Sequence, residues 1–403
     1  TGSLGYSFSS NQSETLNQAF NRDPSTQKYT VPDESVLNDF DFSSLKNSIN
    51  TALNYKTNTL TINLSNRTDF EAVKRTYNNL GTVLQRDQTS IRPSLNVNYK
   101  ISKTKNLWIN YYGQTMQPSL TQIEPLKQNT HPLVEYLDNR DLKAGFNNSY
   151  SINYNSYKQI KDQSFYFYIS ANQGKRNINS SVRYNLEDGT RQISFLNIHK
   201  HTWRFYGSGS YNFMLKKKWG LKMNMGMNAE YNTQYSYLSL LNEEPRLNRN
   251  KTWSVGPEIG FNRYKANKMD FYIRLSPGIE QMDSYLQPEL NQTTFKFNSY
   301  AQTTYYLPKD FKISLSMQQN YQAATKTLQS INMVNMNGYI SKKFLKDKSL
   351  EAQLFVNDIL NKNIGVRRYQ DGTAFVQTSN DVLRRYGMLK VIYNFTTMKG
   401  GDK

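Results

Sequence analysis

Apolar and polar residues alternate along this chain with a period of two over unusually long stretches. From Met269 the odd positions read Met269, Phe271, Ile273, Leu275, Pro277 and Ile279, and the even ones Asp270, Tyr272, Arg274, Ser276, Gly278 and Glu280. Successive strand side chains point to opposite faces, so one face here is apolar and the other carries the charge. The pattern recurs from Trp219, where Trp219, Leu221, Met223, Met225, Met227, Ala229 and Tyr231 oppose Gly220, Lys222, Asn224, Gly226, Asn228 and Glu230. A tilted strand needs about ten residues to cross a bilayer, whereas globular strands average about five or six. The alternation predicts an all-β, antiparallel transmembrane β-barrel.

The connections predict its orientation. One set is short: Lys56-Thr57-Asn58, Ser102 to Lys105, Lys158 to Asp162, Lys216-Lys217-Lys218, Tyr264 to Lys268, Pro308-Lys309-Asp310 and Phe344 to Lys348. The other set reads as long loops rich in Asn, Asp, Thr, Pro and Gln: about Asn11 to Ser44, Asp69 to Gln88, Met116 to Ala144, Gln234 to Arg249 and Asn357 to Leu383. Short periplasmic turns opposite long extracellular loops are the asymmetry of outer-membrane barrels. About seven hairpins and a strand at each terminus give roughly sixteen strands with both termini periplasmic. Arg183 to Ile198, turning at Asp188-Gly189, reads as an extra hairpin above the membrane.

The remaining composition fits this picture. Mean hydropathy is −0.75 and only 37% of residues are hydrophobic, as expected where lipid meets one strand face and the lumen and loops are polar. No apolar run of about eighteen residues occurs, which excludes a helical membrane protein. The charged residues Lys222, Arg274, Lys312 and Lys390 all fall on the polar stripe. Trp219, Trp203 and Trp253 lie at strand ends on the apolar stripe, where indoles favour the membrane–water boundary. Trp108 departs from this, because Leu107 and Ile109 take the apolar positions beside it.

The 403 residues hold no cysteine, which rules out disulfides, cysteine metal sites and thiol nucleophiles. No charged-then-apolar leader opens the chain at Thr1. The net charge of +19 gathers in the short turns, notably Lys216-Lys217-Lys218 and Lys342, Lys343, Lys346 and Lys348. Scattered over many hairpins, it suits contact with lipid headgroups rather than a nucleic-acid groove. His199 and His201 share a strand face without a third ligand nearby, and His131 sits in a Pro-containing loop. Ser208 and Ser210 follow His201 without completing a nucleophile–base pair. No catalytic, cofactor-binding or metal-ligating residue is expected. Met116 to Ala144 and Gln234 to Arg249 carry a ligand-facing set of Tyr, Asn, Gln, Arg and Glu, from which no single contact stands out.

Leu354-Phe355-Val356-Asn357-Asp358-Ile359-Leu360-Asn361-Lys362 reads as a strand running into an Asn-hydrophobic-hydrophobic-Asn/Asp-Lys turn, and resembles the stretch near the end of the TonB-dependent outer-membrane receptor family. Arg385-Tyr386-Gly387-Met388-Leu389-Lys390-Val391-Ile392-Tyr393-Asn394-Phe395 is similar to its closing strand. Pro118 to Leu120, Pro125, His131-Pro132 and Asn139-Arg140-Asp141-Leu142-Lys143 resemble one of its long loops. The Bacteroidetes-type outer membrane β-barrel subgroup matches best. The family has a plug ahead of a barrel of about 22 strands. The resemblance therefore implies that residues 1–395 are a C-terminal barrel portion without its plug, followed by a periplasmic tail, Thr396 to Lys403.

What the resemblance implies for function is binding and energised import of a specific nutrient, such as a siderophore, glycan, cobalamin or peptide. The partners it implies are outer-membrane lipid, the nutrient, the TonB energy-transducing complex acting through a plug outside this chain, and a surface lipoprotein. A plugless passive porin of about sixteen strands and a surface adhesin or assembly barrel are the alternatives.

Overall fold

The period-two stretches pair edge to edge into one large sheet. The computed structural model describes residues 1–125, 134–184, 190–239, 245–264, 268–326, 328–371 and 374–395. It opens with β1 (Gly2–Arg22), β2 (Tyr29–Lys56), β3 (Leu60–Tyr77), β4 (Thr82–Ser102) and β5 (Lys105–Met116). A one-turn helix, α1 (Leu120–Ile123), and a short strand, β6 (Val134–Leu137), precede β7 (Gly145–Lys158) and β8 (Gln163–Lys175). The hairpin β9 (Ile178–Tyr184) and β10 (Arg191–Asn197) comes next. Then follow β11 (Thr202–Lys216), β12 (Leu221–Leu238), β13 (Arg246–Arg263), β14 (Met269–Ser284), β15 (Gln292–Leu307), β16 (Phe311–Gln322), β17 (Ile331–Phe344) and β18 (Leu350–Asn357). A separate hairpin, β19 (Val366–Asp371) and β20 (Ala374–Ser379), leads to β21 (Tyr386–Tyr393).

The wall runs β1-β2-β3-β4-β5-β7-β8-β11-β12-β13-β14-β15-β16-β17-β18-β21, each strand antiparallel to the next. Nineteen described strands share the sheet, and setting aside β6, β9 and β10 leaves the sixteen of the wall. Among the described residues the outer edges of β1 and β21 pair with no further strand. Gly2 lies opposite Leu53 near one short turn, and Tyr393 opposite Leu350 near another, so both wall ends start from the short-turn rim. No helix among the described residues is long and apolar enough to cross a membrane.

The two faces differ as the alternation requires. Ile273, Leu275 and Ile279 of β14 are 38%, 38% and 46% exposed on the outer face. Lys296 Nζ meets Glu280 Oε1 at 2.8 Å on the inner one. Phe205, Tyr231 and Trp253 stand opposite one another on β11, β12 and β13, forming an outer aromatic band towards the long-loop end. Trp203 stacks on Phe205 with ring centroids 5.2 Å apart. At the short-turn end Lys216 Nζ lies 3.9 Å from the Trp219 ring, and Lys342 Nζ 4.9 Å from the Phe311 ring. These cations rest on aromatic faces while their ammonium groups stay at the wet boundary. Trp108 faces inward, opposite Asn98 and Asn153, as its neighbours require.

Three of the expected long loops are mostly strand. Asn11 to Ser44 forms the upper parts of β1 and β2, Asp69 to Gln88 those of β3 and β4, and Gln234 to Arg249 the ends of β12 and β13. Above the hydrocarbon both strand faces are wet, so pairing persists while the apolar stripe that marks a strand disappears. β2, at 28 residues, is about 90 Å long at about 3.3 Å per residue, far more than a bilayer needs. The turns at Asp188-Gly189 and within Tyr264 to Lys268, the His131-Pro132 pair and the tail Thr396 to Lys403 fall wholly or partly outside the described residues.

Leu275→Lys should destabilise the folded barrel by about 2–4 kcal/mol, and Arg274→Gln, one residue away on the inner face, by less than about 0.5 kcal/mol. Equilibrium unfolding in lipid vesicles measures both, and equal costs would contradict the assignment of faces. At the tip of the β1–β2 hairpin, Ser25 donates its Oγ and its amide to Asp23 Oδ1 at 2.6 and 2.8 Å. These bonds hold the Asp23 carboxyl at about 2, below its usual 3.8. The folded value is the lower one, so the turn is fully supported above about pH 4 and weakens as pH falls towards 2. Hydrogen exchange at the Ser25 amide should follow that window, and Asp23→Ala should abolish the dependence.

Candidate functional site

At the long-loop rim, the segment between β5 and β7 and the β9–β10 hairpin leave the wall and join each other. β10 runs parallel to β6 and antiparallel to β9, and β9 runs parallel to Tyr237-Leu238 of β12. At the other end of this bridge, Ile123 and Leu142 bury against Leu84, an inner-face residue of β4, with Leu120, Ile178 and Phe195 packed around them. The bridge thus ties β4 to β12, and β5, β7, β8 and β11 lie between those strands in the wall.

Polar anchors fix the bridge, because a short segment cannot bury enough apolar surface to hold itself. Arg75, 4% exposed, donates from Nη1 to Tyr77 Oη at 3.0 Å and to the Glu124 carbonyl at 3.2 Å. Its guanidinium carbon lies 4.7 Å from the Phe40 ring centroid. Arg86 donates from Nη2 to the Leu142 carbonyl at 2.7 Å. The stretch Asn139-Arg140-Asp141-Leu142-Lys143 is the clasp. Asn139 Nδ2 donates to the Phe195 carbonyl at 2.8 Å, and Arg140 pairs with Glu124 at 3.1 Å. Lys143 exchanges two bonds of 2.8 Å with the Asn197 carboxamide. α1 starts at Ser119, whose Oγ accepts from the Gln122 amide in a capping box.

Beside the bridge is a recess of about 430 Å³, lined by Asn147 and Ser149 of β7, Asn172 and Gly174 of β8, Thr202 and Arg204 of β11, Asn232 and Gln234 of β12, Asn177 just before β9 and Asn179 within it. Strand register puts Ser149, Asn172, Arg204 and Asn232 in one row on the inner face. Ser149 Oγ donates to Asn172 Oδ1 at 2.7 Å, and Asn177 Nδ2 to Thr202 Oγ1 at 2.9 Å. Asn179 Nδ2 donates to the Tyr235 carbonyl. A Cβ at Gly174 would lie 2.3 Å from Asn177 Nδ2, so the Asn177 carboxamide would have to move to admit one. Arg204 is neutralised by Glu230 through two bonds, Nε to Oε1 at 2.8 Å and Nη2 to Oε2 at 3.3 Å.

The loop Met116 to Ala144 therefore contributes the bridge, and the residues 234–249 contribute strand ends, with Gln234 in the recess. The inner-wall asparagines of the recess are not singled out by the sequence reading, because they sit on strands. Their signal is the clustering of Asn147-Asn148-Ser149 and Asn172-Gln173-Gly174 where a polar stripe nears its end. His199 and His201 are exposed before β11, and no group of three His, Asp or Glu residues suited to a metal gathers among the described residues. Ser208 and Ser210 lie on the inner face of β11 opposite Asn228 and Gly226. In the C-terminal motif, Asp358 is fully buried and accepts from the amides of Lys362 and Asn363 at 3.0 and 3.1 Å. That explains the acid in the turn, where Asp358 and Asn361 take positive φ.

Removing both arginine anchors, in Arg75→Ala with Arg86→Ala, should free the bridge, since hydrogen bonds from charged groups contribute about 1.5–3 kcal/mol each. Hydrogen exchange at the Asn139 and Lys143 amides should rise while that of β14 and β15 stays fixed. Unchanged exchange at the clasp would show that the apolar contacts alone suffice.

No curated protein matches this chain. Among solved structures it is similar to OmpT, an outer membrane protein of Vibrio cholerae, at 10% identity over 97% of this chain and 99% of that one, with a TM-score of 0.34. It is similar to the ferric yersiniabactin uptake receptor FyuA of Yersinia pestis at 10% identity over 98% and 68% of the two chains, with a TM-score of 0.37. A mutant of the ferric enterobactin receptor PfeA of Pseudomonas aeruginosa is similar at 8% identity over 90% and 70%, with a TM-score of 0.28. Residues 2–393 match the outer membrane protein beta-barrel family, to which this chain belongs.

Proposed function

We propose that this chain forms the wall of an outer-membrane receptor that captures a specific nutrient at its extracellular mouth and imports it. The observation that carries this reading is the bridge held over the inner wall beside a recess lined by amides and hydroxyls. An open diffusion pore needs no built polar recess at its mouth. The rim of short turns, from which both wall ends start, is periplasmic in this reading, and the bridged rim faces outward. Energy comes from a TonB-type transducer acting through a plug outside this chain, and a surface lipoprotein presents the ligand. The barrel performs no covalent chemistry.

The inward anchoring of the segment between β5 and β7 also suits a passive pore, whose channel a folded-in loop would narrow. The two readings part in one experiment. The native protein is placed in an outer membrane and offered a panel comprising a ferric siderophore, cobalamin, neutral oligosaccharides and short peptides. The receptor reading expects one class to accumulate, and expects accumulation to stop when the proton gradient is collapsed. Uptake that equilibrates without energy, across several classes, would replace it with the passive pore.

A further inference from the structure

We infer that the recess beside the bridge binds a neutral saccharide, recognised through hydroxyls on adjacent carbons. This rests on the reading of the barrel as a solute receptor and adds the chemical class of the solute.

The lining decides the class. A carboxamide carries one acceptor and one donor group side by side, and so brackets a pair of neighbouring hydroxyls, each of which both donates and accepts. Asn172 and Asn232 stand in one row on the inner face, with Arg204 between them. Adjacent strands are about 4.8 Å apart, so these groups form a polar row on the scale of a sugar ring. The Asn147, Asn232 and Gln234 carboxamides have no hydrogen-bond partner among the described residues, although all three line the recess. They keep free the bonds that a ligand would take.

Charge argues against anionic and cationic solutes. Among the described residues of the lining the ionic side chain is Arg204, and Glu230 engages it through two bonds. An anionic chelate or a phosphate ester would need an uncompensated cation to offset its desolvation, and a cationic peptide a free carboxylate. One inner position below Arg204 is Tyr206, whose ring centroid lies 6.0 Å from that of Tyr168 on β8. Such a pair offers an apolar surface to the C–H face of a sugar while the amides take its hydroxyls. The recess, at about 430 Å³, has the size of an ordinary small-molecule site.

Asn232→Leu combined with Gln234→Leu tests this with little risk to folding, since neither carboxamide holds another described residue. Calorimetry on the detergent-solubilised native protein would use neutral hexose and pentose oligosaccharides, with oligogalacturonate as the anionic counterpart. Neutral oligosaccharides should bind, and the double variant, with an unchanged thermal unfolding profile, should bind about tenfold or more weakly. The inference is overturned if no neutral saccharide binds the folded protein, if oligogalacturonate binds more tightly than they do, or if the variant binds them undiminished. Energised uptake of another solute class together with any of these results would leave the receptor reading standing. Saccharide binding without energised uptake would do the reverse.

Discussion

Everything in this molecule depends on the absence of water in the bilayer core. Each N–H and C=O group placed there must find its partner on a neighbouring strand, because an unsatisfied one costs several kcal/mol. The response is a wall of antiparallel neighbours whose register runs with few breaks, from β1 against β2 to β18 against β21. The same constraint singles out the seam: the edges of β1 and β21 that pair with no further described strand can lie in hydrocarbon only when they too are paired.

Once the backbone is satisfied, the two faces face different problems. Lipid tolerates no charge on the outer face, so the residues there are mainly aliphatic and aromatic. The inner face carries the charge, part of it in ion pairs. Asp69, only 2% exposed, is held by Arg67 Nε at 2.7 Å and Arg92 Nη2 at 3.1 Å, and Glu71 meets Lys46 at 3.1 Å. A buried carboxylate without such partners would be costly. Where the charges are paired, as at Arg204 and Glu230, the wall is polar without a strong local field, and an uncharged, hydroxyl-bearing solute can compete with water there.

Above the membrane the rules relax, and there the wall is interrupted. Strands continue as ordinary wet hairpins, and the segment between Met116 and Gly145, in its described parts, turns back onto the inner face. It is held by Arg75, Arg86 and a small apolar cluster rather than by a core of its own. The same displacement puts β9 beside β12 in place of β11. That exchange of neighbours brings Asn177 and Asn179 against the amide rows of β7, β8 and β12.

The sequence alone determined what lipid enforces. The stripe from Met269 to Ile279, the short lysine-bearing turns, the inward turn of Trp108 and a wall of about sixteen strands were legible because one face had to be apolar throughout. The hairpins of Asn11 to Ser44 and Asp69 to Gln88 were not legible. With water on both faces, a strand rich in Asn, Asp and Ser has the composition of a loop. The recess was decided by tertiary structure alone. Ser149, Asn172 and Asn232 are separated by 23 and 60 positions, and only strand register aligns them. Register is a property of paired strands, and no single strand carries it.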